Sequence, residues 1–259
     1  MISQYLDLFA DLLLNRNRVY WKWRLLHSNY LKKYKDIHSG CDCFIIGNGP
    51  SLNKHNLSCL ENYYTFGLNK IYLLFDKSSF RPSYHVAVNP LVIQQSVKEF
   101  ESLTCPSFLS YLPSEKIVRN LDHINFLLTK SGCTFSGNIS ERISEGWTVT
   151  YIAMQIAYYM GFKTIFLIGV DHNFVSVGLP NEKQFLAGSD PNHFDPNYFG
   201  GKEWQLPDLQ GSEASFNLAK FFYERDNRKI YDATIDGKLS IFQKISFNDA
   251  LSLSKKRNE

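Results

Sequence analysis

From residue 41 onward, short apolar runs rich in β-branched and aromatic residues alternate with amphipathic or polar stretches. The runs "CFII" (43–46), "YTFGL" (64–68), "YHVAV" (84–88), "SFLSY" (107–111), "TIFLIGV" (164–170) and "KIYDA" (229–233) are predicted strands. Their alternation with helical and loop segments predicts βαβ units, hence an α/β fold with a mainly parallel sheet and helices on both faces. The clearest unit is "SEGWTVTYIAMQIAYYMGFKTIFLIGVD". There Ile152, Ile156, Tyr159 and Met160 share a helix face, Gly161 is placed to end the helix, and a buried strand follows.

Two stretches depart from this rhythm. Before residue 40, Tyr5, Leu8, Phe9, Leu12 and Leu13 have the spacing of an amphipathic helix, with a break expected near Asn15. Its second half interleaves Arg16, Arg18, Lys22, Arg24, Lys32, Lys33 and Lys35 with Tyr20, Trp21 and Trp23. That pattern suits an anionic membrane surface or an acidic polymer, but a packing helix with a solvated basic face is the commoner source of it at the termini of soluble domains. We therefore expect a helical extension over 1–40 and one domain over 41–259. From 171 to 212 the chain is rich in Pro, Gly, Asn, Asp and aromatics, and a loop of that length in a compact domain reads as a lid, here 172–212.

Composition narrows the function classes. The 259 residues are 44% hydrophobic and 15% aromatic, enough for a full core. A net charge of +3 gives no concentrated basic footprint, so no nucleic acid is expected. The 5 cysteines form no CxxC pair and no Cys/His set of zinc spacing, so they are read as reduced thiols in a cytoplasmic protein with no metal site. No apolar run approaches the roughly 18 residues that span a bilayer. The N-terminus shows no apolar segment followed by a small-residue cleavage site, so neither classical secretion nor an integral membrane protein is expected.

The chemistry is expected at the strand ends, because ligands of open α/β sheets bind at the carboxyl edge. The first strand ends in Gly47-Asn48-Gly49-Pro50-Ser51, where glycines permit close backbone approach and a following helix would turn N–H groups toward a phosphate. A plain strand-to-helix turn has the same composition. The stretch is neither GxGxxG, since Leu52 stands at the third glycine position, nor a P-loop. The second and third strands end at Asn69 and Asn89, whose amides suit ribose hydroxyls or a base edge, or simply form turns. The 164–170 strand leads into Asp171, His172 and Asn173, an acid, a base and an amide; as an alternative, Asp171 caps the next turn. Thr148 opens a helix, offering a hydroxyl and an N-terminus, and the long loop carries His193 and Tyr198. A histidine is the natural base for a hydroxyl nucleophile.

"FIIGNGPSL", "GLNK", "AVNP" and "TVTYIAMQIAYYMGFKTIFLIGVDHNF" resemble the DUF115 group, which includes the Maf motility-accessory factors and MptE-like pterin diphosphokinases. They are also similar to the bacterial sialyltransferases of glycosyltransferase family 42. The resemblance runs from about residue 41 to 245. It implies a Rossmann-like, nucleotide-sugar-binding catalytic domain that uses a CMP-activated acid sugar such as sialic, pseudaminic or legionaminic acid or Kdo. Carried over to this sequence, it implies CMP contacts at Asn48, Gly49, Ser51, Asn69 and Asn89, within the turn that also holds Gly47 and Pro50. Thr148 keeps the hydroxyl of the sialyltransferase nucleotide helix, whereas Val149 and Thr150 depart from its Thr-Ser-Gly. Asn173 replaces a leaving-group tyrosine, for which Tyr198 is the substitute, and His193 corresponds to the general base. The expected function is inverting, metal-independent transfer of the sugar to a glycan or protein hydroxyl, with no cofactor beyond the CMP-sugar. The alternatives are an MptE-like diphosphokinase using ATP and Mg²⁺, or a non-catalytic binding module. Peripheral membrane contact through residues 1–35, at the inner face of the membrane, and a homo-oligomer are further expectations.

Overall fold

The computed structural model describes residues 18–257. Tyr5, Leu8, Phe9, Leu12, Leu13 and the expected break near Asn15 lie outside them. The first helix, α1, covers 18–34 and winds as a π-turn over Arg24–Ser28. Then come β1 (Asp42–Ile46), β2 (Tyr64–Leu68), β3 (Tyr84–Ala87), β4 (Ser107–Ser110) and β5 (Ile124–Leu127). Short helices α2 (Pro90–Gln95), α3 (Val97–Glu101) and α4 (Tyr111–Ser114) intervene. Two-residue strands β6 (Thr129–Lys130) and β7 (Ile143–Ser144) lead to α5 (Val149–Tyr159) and β8 (Thr164–Ile168). A hairpin, β9 (Lys183–Leu186) and β10 (Lys202–Gln205), precedes α6 (Leu209–Arg225), β11 (Lys229–Asp232), β12 (Gln243–Lys244) and α7 (Phe247–Leu253).

Eight strands form one all-parallel sheet in the order β12-β11-β8-β1-β2-β3-β4-β5. The six expected strands are present: β2 has its expected bounds, β1 begins one residue earlier at Asp42, and the other four end one or two residues sooner. Two strands of this sheet were not expected: β5, whose "INFL" has Asn125 in its middle, and β12, two exposed polar residues that pair at the edge. The central strands are buried on both faces, as a doubly covered parallel sheet requires. Phe44 stacks on Phe166, and Phe166 on Tyr231, along one face; α5, buried along nearly all its length, packs across β1, β2 and β3. From β1 the chain first walks outward through β2 to β5, then crosses back to the other side of β1 for β8. The gap between β1 and β8 is therefore the point where strand order reverses, and a crevice opens above their carboxyl ends.

Helix α1 packs against this domain. Trp23 is fully buried and its Nε1–H donates to the Phe126 carbonyl on edge strand β5 at 2.8 Å. Ser28, Leu31 and Tyr34 complete the buried side. The expected lid is only partly loop: the β9–β10 hairpin occupies its middle, and α6 begins at Leu209, inside its expected end.

Candidate functional site

A cleft of about 480 Å³ lies above the β1/β8 reversal. It brings together most of the sequence-predicted residues: Gly47, Asn48 and Gly49 after β1, Asn69 after β2, Asn89 after β3, Thr148 and Val149 at the start of α5, Asp171 and Asn173 after β8, and His193 from the lid. Pro50, Ser51 and Tyr198 do not line it. Asp171 and Glu145 supply carboxylates, and no lysine or arginine lines the cleft among the described residues.

The Gly47–Ser51 turn is not the open phosphate cradle expected of it. Asp171 fills that place. Its Oδ1 accepts from the Ser51 backbone N–H at 3.0 Å and its Oδ2 from the Ser51 hydroxyl at 2.6 Å. The helix that follows is only the short 3-10 turn Pro50–Lys54, and Pro50 has no N–H to offer. The glycines are required by the neighbouring strand: a Cβ on Gly47 would overlap the Gly169 carbonyl oxygen, and one on Gly49 the Asp171 carboxylate. Asp171 therefore caps a turn, which is the local use of a strand-end Asp.

Asn89 is likewise committed. Its Oδ1 caps α2 by accepting from Leu91 and Val92, and its Nδ2 donates to Gln205 Oε1 on β10, so it ties the lid hairpin to the sheet. Asn48 and Asn69 differ. The side-chain carbonyl oxygen of each is buried and accepts no hydrogen bond within the described residues. An unpaired buried acceptor costs about 1–3 kcal/mol, and both of these belong to residues that line the cleft. Asn69 adopts φ 46°, a left-handed position that Asn tolerates. His85 holds its backbone: Nε2–H donates to the Asn69 carbonyl, and Nδ1 accepts from Ser107 Oγ. Burial lowers the His85 pKa to about 4, so the ring is neutral and this tautomer satisfies both partners.

The His193 segment is built around Asp190. That carboxylate, nearly fully buried, accepts from His193 Nδ1 at 2.8 Å, from the Phe199 backbone N–H and from the Asn192 backbone N–H. Burial alone would raise its pKa, but the His193 contact and the two backbone bonds outweigh burial and hold it below the usual carboxylate range. His193 stacks flat on Tyr198, 4.0 Å between centroids and 4° between planes. With Nδ1 bound to Asp190, Nε2 is left for the cleft that His193 lines. Tyr198 is fully buried beneath it, its hydroxyl accepting from the Lys70 backbone N–H at 3.3 Å, and burial pushes its pKa well up. It supports the histidine from below, with its hydroxyl turned to the Lys70 backbone and no part of it lining the cleft. The segment is also latched to the rim, because Phe194 N–H donates to the Asn48 carbonyl and Asn53 Nδ2 to the Phe194 carbonyl.

Thr148 caps α5, its Oγ1 accepting from Thr150 N–H at 3.3 Å, which leaves its own O–H and the Val149 N–H at the cleft. Sequence reasoning missed several contributors. Asp190 sits three residues before His193, a spacing that could have paired them. Lys70, fully buried, follows Asn69 and donates to the Tyr198 carbonyl and Gln95 Oε1. Trp147, with φ 59°, forms part of the wall, and His172, which the sequence offered as a base, has φ 53°, lines the cleft and is tied to Glu213 on α6 at 2.8 Å, a partner that sequence reasoning missed.

An eight-stranded parallel sheet with its cleft at the strand-order reversal defines a Rossmann-like α/β protein with its main crevice at the carboxyl edge, where ligands of such sheets bind. Within that class, the chain belongs to the 6-hydroxymethylpterin diphosphokinase MptE-like family, whose model matches residues 21–176. The match begins inside α1, earlier than the expected start at 41, and ends soon after β8 rather than at 245. A Maf glycosyltransferase from Magnetospirillum magneticum AMB-1 has a similar fold, with a TM-score of 0.54 and 13% identity over 88% of this chain. This chain spans 38% of that protein's length. None of the curated proteins compared with the chain matches it.

Proposed function

We propose that the chain is an inverting glycosyltransferase that moves an acid sugar from a CMP-linked donor to a hydroxyl acceptor. The observation that carries this reading is the His193–Asp190 pair, held flat on buried Tyr198 at the edge of a cleft with unsatisfied amide acceptors. In this mechanism His193 Nε2 takes the acceptor hydroxyl proton as the new bond forms at the anomeric carbon. The bond from that carbon to the phosphate breaks, and its electron pair leaves with CMP. Asp190 keeps the Nδ1–H tautomer and steadies the imidazolium. The Thr148 hydroxyl and the Val149 N–H, at the positive end of α5, meet the departing phosphate. The side-chain Oδ1 atoms of Asn48 and Asn69 take N–H or O–H donors of the nucleoside, and the latched lid limits water. A monophosphate suits a cleft without lysine or arginine better than a polyphosphate does. The Maf glycosyltransferase of similar fold supports the same class.

A second reading is favoured by the family's description: a diphosphokinase acting on a pterin with ATP and Mg²⁺. The cleft's two carboxylates, Asp171 and Glu145, would then hold the metal. Both already accept protein hydrogen bonds, two on Asp171 and one on Glu145, so they fit that role less well than His193 fits a base.

Calorimetric titration with CMP, CDP, ATP and GTP, with and without Mg²⁺, separates the two. Metal-independent preference for CMP is expected, and binding of ATP only with Mg²⁺ would favour the diphosphokinase. With a CMP-sugar donor in hand, His193→Ala should lower kcat by about 10²–10⁴-fold with an unchanged fold. Near-wild-type transfer would remove the base assignment.

A further inference from the structure

We propose that the outward face of α1 docks on an anionic lipid surface, lying along it without crossing it. This inference does not rest on the proposed reaction. A helix packed on a domain normally buries one apolar side and presents a polar one. Helix α1 buries Trp23, Ser28, Leu31 and Tyr34 against the domain, the five-residue step from Trp23 to Ser28 being accommodated by its π-turn. Yet its other side exposes Trp21 (59%), Leu25 (76%), Leu26 (51%) and Tyr30 (68%). The patch extends toward exposed Leu112 and Ile117, which flank Glu115, the partner of Lys22. Four large exposed apolar side chains within ten residues mark an interaction surface.

The surrounding charge selects the occupant. Arg18, Lys22, Lys32 and Lys33 are exposed on the same helix, and Arg18, Lys32 and Lys33 make no ion pair with the described residues. Tryptophan and tyrosine among lysines and arginines is the composition of a helix lying in a headgroup layer. No helix among the described residues is long and apolar enough to cross a membrane, so the contact is superficial. A second copy fits less well, because a two-fold interface would set the same cluster of cations against itself.

The test is co-sedimentation of the full chain with vesicles of phosphatidylethanolamine and phosphatidylglycerol, and with vesicles of phosphatidylcholine alone. Preferential binding to the anionic vesicles, weakened by high salt, is expected. The triple variant Arg18→Gln/Lys32→Gln/Lys33→Gln should partition about 100-fold more weakly, from the per-cation contribution at an anionic surface. Leu25→Ser/Leu26→Ser, both at exposed positions, should lose binding while its melting curve stays unchanged. Equal sedimentation of wild type and both variants, or no vesicle binding by the full chain, overturns the proposal. A dimer in solution that Leu25→Ser/Leu26→Ser dissociates would assign the face to a second copy and overturn it as well.

Discussion

Lys70 is enclosed with no carboxylate hydrogen-bonded to its amine. Nζ is 2.7 Å from Gln95 Oε1 and 2.7 Å from the Tyr198 carbonyl, and lies over the Phe199 ring at 4.5 Å. Burial, aided by Lys202, brings its pKa down to about 7. A neutral amine has two N–H groups, one for each of its two acceptors, so the packing accommodates the uncharged form. The unfolded chain keeps this proton up to about pH 10, so between pH 7 and 10 it binds more protons than the folded chain does. Stability should therefore rise with pH across that window. Urea unfolding at pH 7 and pH 9 should show a gain of about 2 kcal/mol attributable to Lys70. Lys70→Met should flatten that slope, and an unchanged slope would contradict the assignment. At Gly49 the constraint is steric. Gly49→Ala places a methyl group on the Asp171 carboxylate and should cost about 1–3 kcal/mol in urea unfolding. Gly188→Ala, where a Cβ meets nothing within 4 Å, should change stability far less.

Helix α5 contributes through its first turn. Thr148→Ala removes the cap and should lower stability by about 1 kcal/mol. If the helix start faces the ligand phosphate, nucleotide affinity should fall more than stability does, which titration of Thr148→Ala against Thr148→Ser would show. Most elements were legible in the sequence because parallel strands buried on both faces are continuous apolar runs. "TIFLI" and "CFII" are examples. Strand β5 was hidden by Asn125, whose side chain is satisfied locally by the His123 carbonyl, and β12 by having no apolar residue at all. The cleft's lining was legible where a polar residue sits at a strand end or helix start, as with Asn48, Asn69 and Thr148. The arrangement was illegible where it depends on pairing across the chain: Ser51 with Asp171, Lys70 with Tyr198 and His172 with Glu213 are tertiary facts that no local spacing encodes.

Across the whole molecule, the sheet's strand order sets where the cleft lies, and the lid hairpin is held to it by Asn89, Lys70 and Asn53 rather than hinged freely. The order has a consequence for how the chain is made. β1 is fully buried and finds β2 within about twenty residues, but its other neighbour, β8, begins at Thr164. During synthesis, β1 to β5 can assemble while one apolar edge, Cys43 to Ile46, stays bare until more than a hundred further residues have emerged. Such an edge invites pairing with a neighbouring nascent chain. A fragment ending at residue 160 should therefore be far more aggregation-prone than the full chain, as pelleting after cell-free translation would show. The segment that completes the cleft is thus also the one that protects the growing chain from its neighbours.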